Sequence, residues 1–590
     1  MTAGEEHPRR LGGGAEVVLF ALLVLGAVMR VRGIGAQIPM DDEWHGLDFA
    51  LSRDLWFLFT HWSRAGANSI PYNLYLRASL VTIGWTEITI VLPSLLAGVG
   101  LLWVFPRWVG RRFGPEAGIV SSLVLGLSPF LIFYSRTARA YSVVLLLECL
   151  ALLGLVEWLR TARRRHAVAL VGWGALAIWT HVSALAPLLG AVVAVTVSRG
   201  LRGRRGAAPA GPTARQVSMA GLGTLALAGA LWLPALLAPL PSPEHSAARF
   251  SWRSFAGLFE MWSGTANLPL QVLIAAAMVV GIWLLVRVAR EEILLLAAAV
   301  AAGLLAVLLT RPNLAGVGLV LARYLLPGYL LVSLAIGVAA QRLVRGAPTI
   351  VGRNLRFGGG LAALALCYFL GPLPRIHGQG GSFTKHPAYQ ASYAEPEPER
   401  ALPDPLDDGT SKVVERAQLQ PFYFALARAF GRAPIIEYPF LLGEDVNLLY
   451  FPQQLHGRPA LAGYYHSGAG DKDVFGMAVS PRRSAQPAPP SPGFIMNAMM
   501  VDHVLGRPES DARVRFHTVV DILDPVAVER SGAEFLVLHA NLLREFFNIG
   551  PEGARSEFTL GIRGRLFARY GLPVFENELI TVLRVSGGQK

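Results

Sequence analysis

Long apolar runs separated by short basic ones fill roughly the first two-thirds of the chain. A helix that crosses a bilayer needs roughly 20 mostly apolar residues. Stretches of this kind lie at 15–31, 88–106, 117–133, 141–159, 167–180, 182–197, 219–237, 268–286, 293–309, 324–340 and 357–370. The basic residues fall in every second connection. Arg9 and Arg10 precede the first stretch, and Arg107, Arg111 and Arg112 follow the second. Arg160, Arg163, Arg164 and Arg165 follow the fourth, and Arg199, Arg202, Arg204, Arg205 and Arg215 follow the sixth. Arg287 and Arg290 follow the eighth, and Arg342, Arg345, Arg353 and Arg356 follow the tenth. That alternation predicts about eleven spans with the N-terminus inside and the C-terminus outside. The two short stretches around His181 are read as separate spans, because merging them would invert every later loop. Arg9, Arg10 and the apolar run after them resemble a signal peptide, but the many spans that follow favour an uncleaved first helix.

The outward connections are then 33–87, 134–140, the turn at His181, 238–267, 311–323 and everything after Gly371. In the first of them Trp44, Leu47, Leu51, Leu55, Leu58 and Trp62 recur at three- and four-residue steps, which predicts an amphipathic helix lying in the membrane interface. A second interfacial piece is expected over 71–83. After Gly371 the composition turns polar and proline-rich. Strands are predicted at 435–438, 535–538 and 580–585, and helices at 413–430 and 525–530. The chain therefore reads as a polytopic α-helical membrane domain, residues 1–372, followed by an extracytoplasmic α/β domain, residues 373–590.

Composition agrees with this division. The chain has 590 residues, is 53% hydrophobic and carries a net charge of +13. Its mean hydropathy is +0.44. The charge sits in the loops between apolar runs and not on one basic surface, so it speaks for a bilayer and against nucleic acid. Cys149 and Cys367 both lie in apolar stretches, which excludes a disulfide framework. The histidines after Gly371 match no metal-ligand spacing, and no metal site is expected. Gln453 to Arg458, with Tyr464 and Tyr465, reads as a loop with packed aromatics before it reads as a glycan contact.

The candidate chemistry gathers on the outward side. Asp41, Asp42 and Glu43 open the first interfacial helix. They are either helix-capping acids favoured by the dipole or a general base for an acceptor hydroxyl, and a cap would hold a base in place. Arg136 and Arg139 lie against the positive-inside trend, as does Arg323. Arginine presents a planar fork of donors to phosphate. The alternative is a side chain reaching to lipid headgroups. His181 caps a turn, meets phosphate, or does neither.

The order of these motifs resembles the GT-C glycosyltransferases, specifically the family of protein O-mannosyltransferases and aminoarabinose transferases (glycosyltransferase family 39-like). The resemblance runs over residues 15–370. Asp42-Glu43 stands where the family carries an Asp-Glu pair. The lead-in to the second span is similar at Gly84, Pro93, Ser94, Leu95, Leu96, Ala97 and Gly98. The family's Ser-Pro, Tyr-Ser and Ala-Arg-x-Tyr stretch is matched by Ser128, Pro129, Tyr134, Ser135, Ala138, Arg139 and Tyr141. Thr180-His181 and Arg323-Tyr324 with Pro327 match looser patterns. The chain departs from many relatives just before Arg139, where Arg136, Thr137 and Ala138 stand without an acid. Neither Glu87 nor Glu260 is assigned that missing role.

The resemblance implies a GT-C-like membrane glycosyltransferase that takes a sugar from a polyprenyl-phosphate carrier on the extracytoplasmic side, with inversion. Asp42 would be the base, and Glu43 would orient it or the acceptor. Arg139, Tyr141, His181, Arg323 and Tyr324 would bind the donor. No cofactor or catalytic metal is implied. The partners are the carrier-linked sugar, the bilayer, and an acceptor that is a protein, a lipid or a glycan. The expected location is the bacterial inner (plasma) membrane. A glycan polymerase or ligase using a lipid-pyrophosphate donor is the alternative enzyme. A non-catalytic assembly protein or a transporter is the alternative from another class.

Overall fold

In the computed structural model, apart from short gaps, the described residues are 11–32, 54–61, 69–83 and 88–370, then 421–429, 435–438, 460–461, 533–539 and 566–585, with a few isolated residues between. The chain divides into two compact units. One is Met1–Gly35 with Leu55–Glu395, and the other is Ala36–Asp54 with Pro396–Lys590.

The first unit is helical. Its helices are α1 (Gly13–Val31), α2 (Leu55–Thr60), α3 (Ile70–Thr82), α4 (Leu92–Phe113), α5 (Pro115–Leu127), α6 (Pro129–Ser135), α7 (Tyr141–Thr161) and α8 (Arg164–Thr180). They continue as α9 (Leu185–Arg204), α10 (Ala214–Leu236), α11 (Trp252–Ser263), α12 (Leu268–Val288), α13 (Arg290–Thr310), α14 (Gly318–Tyr324), α15 (Pro327–Arg345) and α16 (Ile350–Leu370). All eleven apolar stretches are helical. Among the described residues eight helices are long and apolar enough to cross a membrane, or nine if the bent pair α5–α6 is one span. The remaining two are α8, only 17 residues long, and α16, which opens with Arg353 and Arg356. The protein is a polytopic helical membrane protein.

Local chemistry explains where these helices begin and end. The α5–α6 pair bends by 61° at Ser128 and Pro129. Proline cannot donate to the preceding turn, and Ser128 Oγ accepts from the Leu131 N–H at 3.4 Å to start the new helix. Ser69 starts α3 in the same way. Thr213 and Gln216 form a capping box at α10. Gly264, at φ +73°, ends α11 in a left-handed turn.

Two helices absent from the sequence reading, α11 and α14, lie in stretches expected to be loops. They pack on each other. A Cβ on Gly318 would press on the backbone of Gly257 and Leu258, so close approach needs glycine there. Small residues bring the longer helices together as well. A Cβ on Gly118 of α5 would lie 2.8 Å from Gly110 Cα of α4, the close backbone contact typical of membrane helices. Of the interfacial helix expected over 44–62, Leu55–Thr60 is helical, and most of its earlier residues lie outside the described ones. The second interfacial piece is α3.

The second unit holds a five-stranded sheet of order β2-β1-β3-β5-β4, with β1 (Ile435–Tyr438), β2 (Ala460–Leu461), β3 (Phe535–His539), β4 (Phe575–Glu576) and β5 (Ile580–Arg584). β1 runs parallel to β2 and β3, whereas β5 runs antiparallel to β3 and β4. The helix α17 (Pro421–Arg428) packs Phe422, Tyr423 and Leu426 on Ile435, Val537, Ile580 and Val582. β1, β5 and α17 fall within the segments predicted for them, and β3 runs one residue past its predicted end, to His539. The expected helix at 525–530 has only Val528 and Glu529 among the described residues, both helical.

Candidate functional site

Three connections meet at the end of the bundle opposite the basic loops. The first joins α6 to α7 and carries Arg136 and Arg139. The second, between α8 and α9, carries His181. The third is α14, which ends in Arg323 and Tyr324. Tyr141, at the start of α7, lies at their centre. Arg139 Cζ is 5.8 Å from its ring centroid and Arg323 Cζ is 5.5 Å from it. The His181 ring is 5.5 Å away and the Tyr134 ring 4.9 Å. Arg323 also lies 5.8 Å from the ring of Tyr324. Both arginines are within the range at which a cation is attracted to an aromatic face. The five donor-binding candidates, Arg139, Tyr141, His181, Arg323 and Tyr324, are thus neighbours in space.

The histidine is held in one form. The Ser183 N–H donates to His181 Nδ1 at 3.2 Å, and Ser183 Oγ lies 2.7 Å from the same nitrogen. Burial first, and then the charges of Arg139 and Arg323, push its protonation down to about 3. The ring is therefore neutral near pH 7. With Nδ1 accepting, its proton sits on Nε2, which is a neutral donor. Ser183 was not singled out from the sequence, where nothing distinguishes a serine two residues after a histidine from any other.

The arginine loop is anchored from beneath. Ser94 Oγ donates to the Arg139 carbonyl at 2.6 Å and lies 3.2 Å from Tyr72 Oη. Tyr72 Oη in turn donates to the Ile90 carbonyl at 2.9 Å. Arg136 is buried, and its Nη1 donates to the Arg32 carbonyl at 2.5 Å. This contact ties it to the segment after α1.

Arg30, inside α1, was also missed. It is fully buried. Its Nε donates to Ser135 Oγ at 3.1 Å, Nη1 to the carbonyls of Gly26 and Gly126 at 2.9 and 3.2 Å, and Nη2 to that of Leu125 at 3.1 Å. The last two carbonyls end α5, so one guanidinium caps the helix at its bend and holds the first residue of the arginine loop. A Cβ on Gly98 would collide with Ser135 Oγ. The sequence signal was a lone arginine within an apolar span.

Asp41 and Asp42 lie outside the described residues. Glu43 is helical and buried, and its segment, Ala36–Asp54, belongs to the second unit. Glu260, on α11, is buried, and its Oε1 has no hydrogen-bond partner among the described residues. Burial pushes its carboxyl up to about 7. Among the described residues no group of three or more His, Cys, Asp or Glu side chains could hold a metal ion.

Neither a protein-family model nor any curated protein sequence matches the chain. Solved structures do. ArnT from Cupriavidus metallidurans in the apo state superposes with a TM-score of 0.52 at 14% identity, covering 97% of this chain and 98% of that one. The chain has the ArnT fold. The same ArnT bound to undecaprenyl phosphate gives a TM-score of 0.51 at 14% identity over the same shares. The Archaeoglobus fulgidus oligosaccharyltransferase in its apo form gives a TM-score of 0.44 at 10% identity, covering 90% of this chain and 70% of that one. The aligned share of the chain includes residues of both units.

Proposed function

We propose that this protein is a membrane glycosyltransferase that takes a sugar from a polyprenyl-phosphate carrier and passes it to an acceptor on the extracytoplasmic face. The observation that carries the reading is the convergence of Arg139 and Arg323 on Tyr141 beside a neutral His181. The two guanidiniums flank one tyrosine ring, so their positive charges add at one place in the site. A phosphate monoester or diester is the anion that arginine forks suit best. The ArnT fold, seen with undecaprenyl phosphate in the Cupriavidus protein, supports a lipid carrier as the source of that phosphate.

The chemistry follows from those residues. The acceptor oxygen attacks the anomeric carbon from the face opposite the phosphate. The bond between that carbon and the phosphate oxygen breaks, and its electron pair leaves on the phosphate. Arg139 and Arg323 stabilise the charge that develops there, and the His181 Nε2 proton is a third donor. Asp42 accepts the proton of the attacking hydroxyl, and Glu43 orients Asp42 or the acceptor. The configuration inverts. The face with the basic loops is then cytoplasmic, the membrane is the bacterial inner membrane, and the α/β unit is extracytoplasmic.

The test is sugar release by the purified full-length protein from a panel of polyprenyl-phosphate sugars, with Asp42→Asn alongside. The reading expects turnover with at least one donor and its loss in the variant. No turnover with any donor, or equal turnover in both proteins, would overturn it.

A further inference from the structure

We infer that the protein carries a second lipid site, for an anionic phospholipid, at the basic-loop end of the helices. A cavity of about 510 Å³ lies between α9, α12, α13 and α15. It is separate from the arginine cluster around Tyr141 and independent of the reaction proposed there. Its walls are apolar, with Ile282, Leu294, Ala297 and Leu331 among them, and its polar edge is Ser198, Arg202 and Arg290.

Position fixes what fills it. Arg290 and Ala297 both line the cavity, and seven helical residues rise about 10.5 Å. The cavity therefore runs from a charged mouth toward the middle of the membrane. Leu201, Val286 and Leu294 on its rim are exposed, so it opens sideways into the surroundings of the helices. In a bilayer those surroundings are acyl chains. At the end of α12, three residues before Arg290, Arg287 stacks over Trp283 at 3.7 Å, an aromatic and basic pairing suited to the headgroup level.

The charge at the mouth selects the headgroup. Glu291 accepts from both Arg199 and Arg202, at 3.0 and 2.6 Å. Arg290 meets no carboxylate among the described residues and is exposed. It is the first residue of α13, a 21-residue helix whose N-cap, Ala289, has no side chain to cap it. The first turn of α13 also carries Glu291 and Glu292, but Glu292 is paired with Arg112 and Glu291 is shared by two arginines, so the positive excess at the groove comes from Arg199, Arg202 and Arg290 against Glu291. An apolar groove with a net positive mouth between membrane helices fits one acyl chain and one phosphodiester.

The test is native mass spectrometry of the delipidated full-length protein, titrated with phosphatidylglycerol and with phosphatidylcholine of identical acyl chains, and with inorganic phosphate as competitor. Wild type is expected to retain one phosphatidylglycerol in preference to phosphatidylcholine. Arg290→Gln is expected to weaken that retention about fivefold, the weight of one basic residue beside an anionic lipid. Ala297→Trp, which fills the groove and leaves the charge, is expected to abolish retention of both lipids. Equal retention of the two lipids by wild type, unchanged preference in Arg290→Gln, or full competition by inorganic phosphate would overturn the inference.

Discussion

At the basic-loop end of the helices, Arg107 pairs with Glu16 at 3.1 Å, Arg112 with Glu292 at 2.9 Å, and Arg199 and Arg202 with Glu291. At the opposite end, Arg139 and Arg323 gather around Tyr141 and both depress the protonation of His181. The first group stitches helices that are far apart in sequence, since Arg112 and Glu292 join α4 to α13. The second group concentrates positive charge at one place. The residue type is the same, and its neighbours differ: carboxylates at one end and an aromatic ring at the other.

Breaking the second group, or the base proposed to act with it, has the largest expected effect. Asp42→Asn is expected to lower turnover by about 10²–10⁴-fold, the usual weight of a positioned general base. Arg139→Ala and Arg323→Ala are each expected to lower it about 10²–10³-fold, as losses of transition-state charge stabilisation. Steady-state assay with a carrier-linked sugar measures all three. The proposal requires the fall in kcat for Asp42→Asn with binding of the carrier retained. Unchanged turnover in Arg139→Ala would remove the functional side of the comparison.

Breaking the first group is expected to change stability and leave chemistry alone. Glu291→Gln removes the carboxylate charge that Arg199 and Arg202 share and is expected to cost about 1–2 kcal/mol. Thermal unfolding in detergent would register the loss while turnover of the folded protein stays at the wild-type level. A matching fall in turnover would merge the two groups into one network. Gly98→Ala tests the joint between them. The added methyl collides with Ser135 Oγ, displaces the Arg30 contact and is expected to cost about 1–3 kcal/mol. Because Ser135 opens the loop of Arg139, turnover is expected to fall as well.

The smallest effect concerns pH. Glu260 has a folded pKa raised from 4.5 to about 7 by burial. The folded state therefore holds a proton that the unfolded state has released between those values. Its contribution is fully present below pH 4.5 and is lost as pH rises through 7. Glu260→Gln is expected to be more stable than wild type by about 1–2 kcal/mol at pH 8, with the gain vanishing near pH 4.5. Thermal melts of both proteins across that range check it, and a gain independent of pH would show that Glu260 keeps its ordinary pKa.

Much of this arrangement is legible in the chain because membrane helices announce themselves. All eleven apolar stretches fold as helices, and the alternation of arginine-rich loops orders their ends. Of the arginines that oppose that alternation, Arg139 and Arg323 come to Tyr141, whereas Arg136 binds the Arg32 carbonyl. What the sequence hides is partnership across long separations. Arg30 reads as an oddity within an apolar run until its bonds to Leu125, Gly126 and Ser135 are seen. The helices α11 and α14 escaped notice because they are short and lie in stretches expected to be loops. Ser183 carries no local signal, yet it sets the tautomer of His181.

The most direct test of the central claim is equilibrium binding of a polyprenyl phosphate without sugar to wild type, Arg139→Ala, Arg323→Ala and Glu291→Gln. If the arginines around Tyr141 hold the carrier phosphate, each alanine variant should bind it more than about tenfold more weakly, the loss of a charge-assisted hydrogen bond. Glu291→Gln should bind it as wild type does. Equal binding by all four proteins would contradict the account.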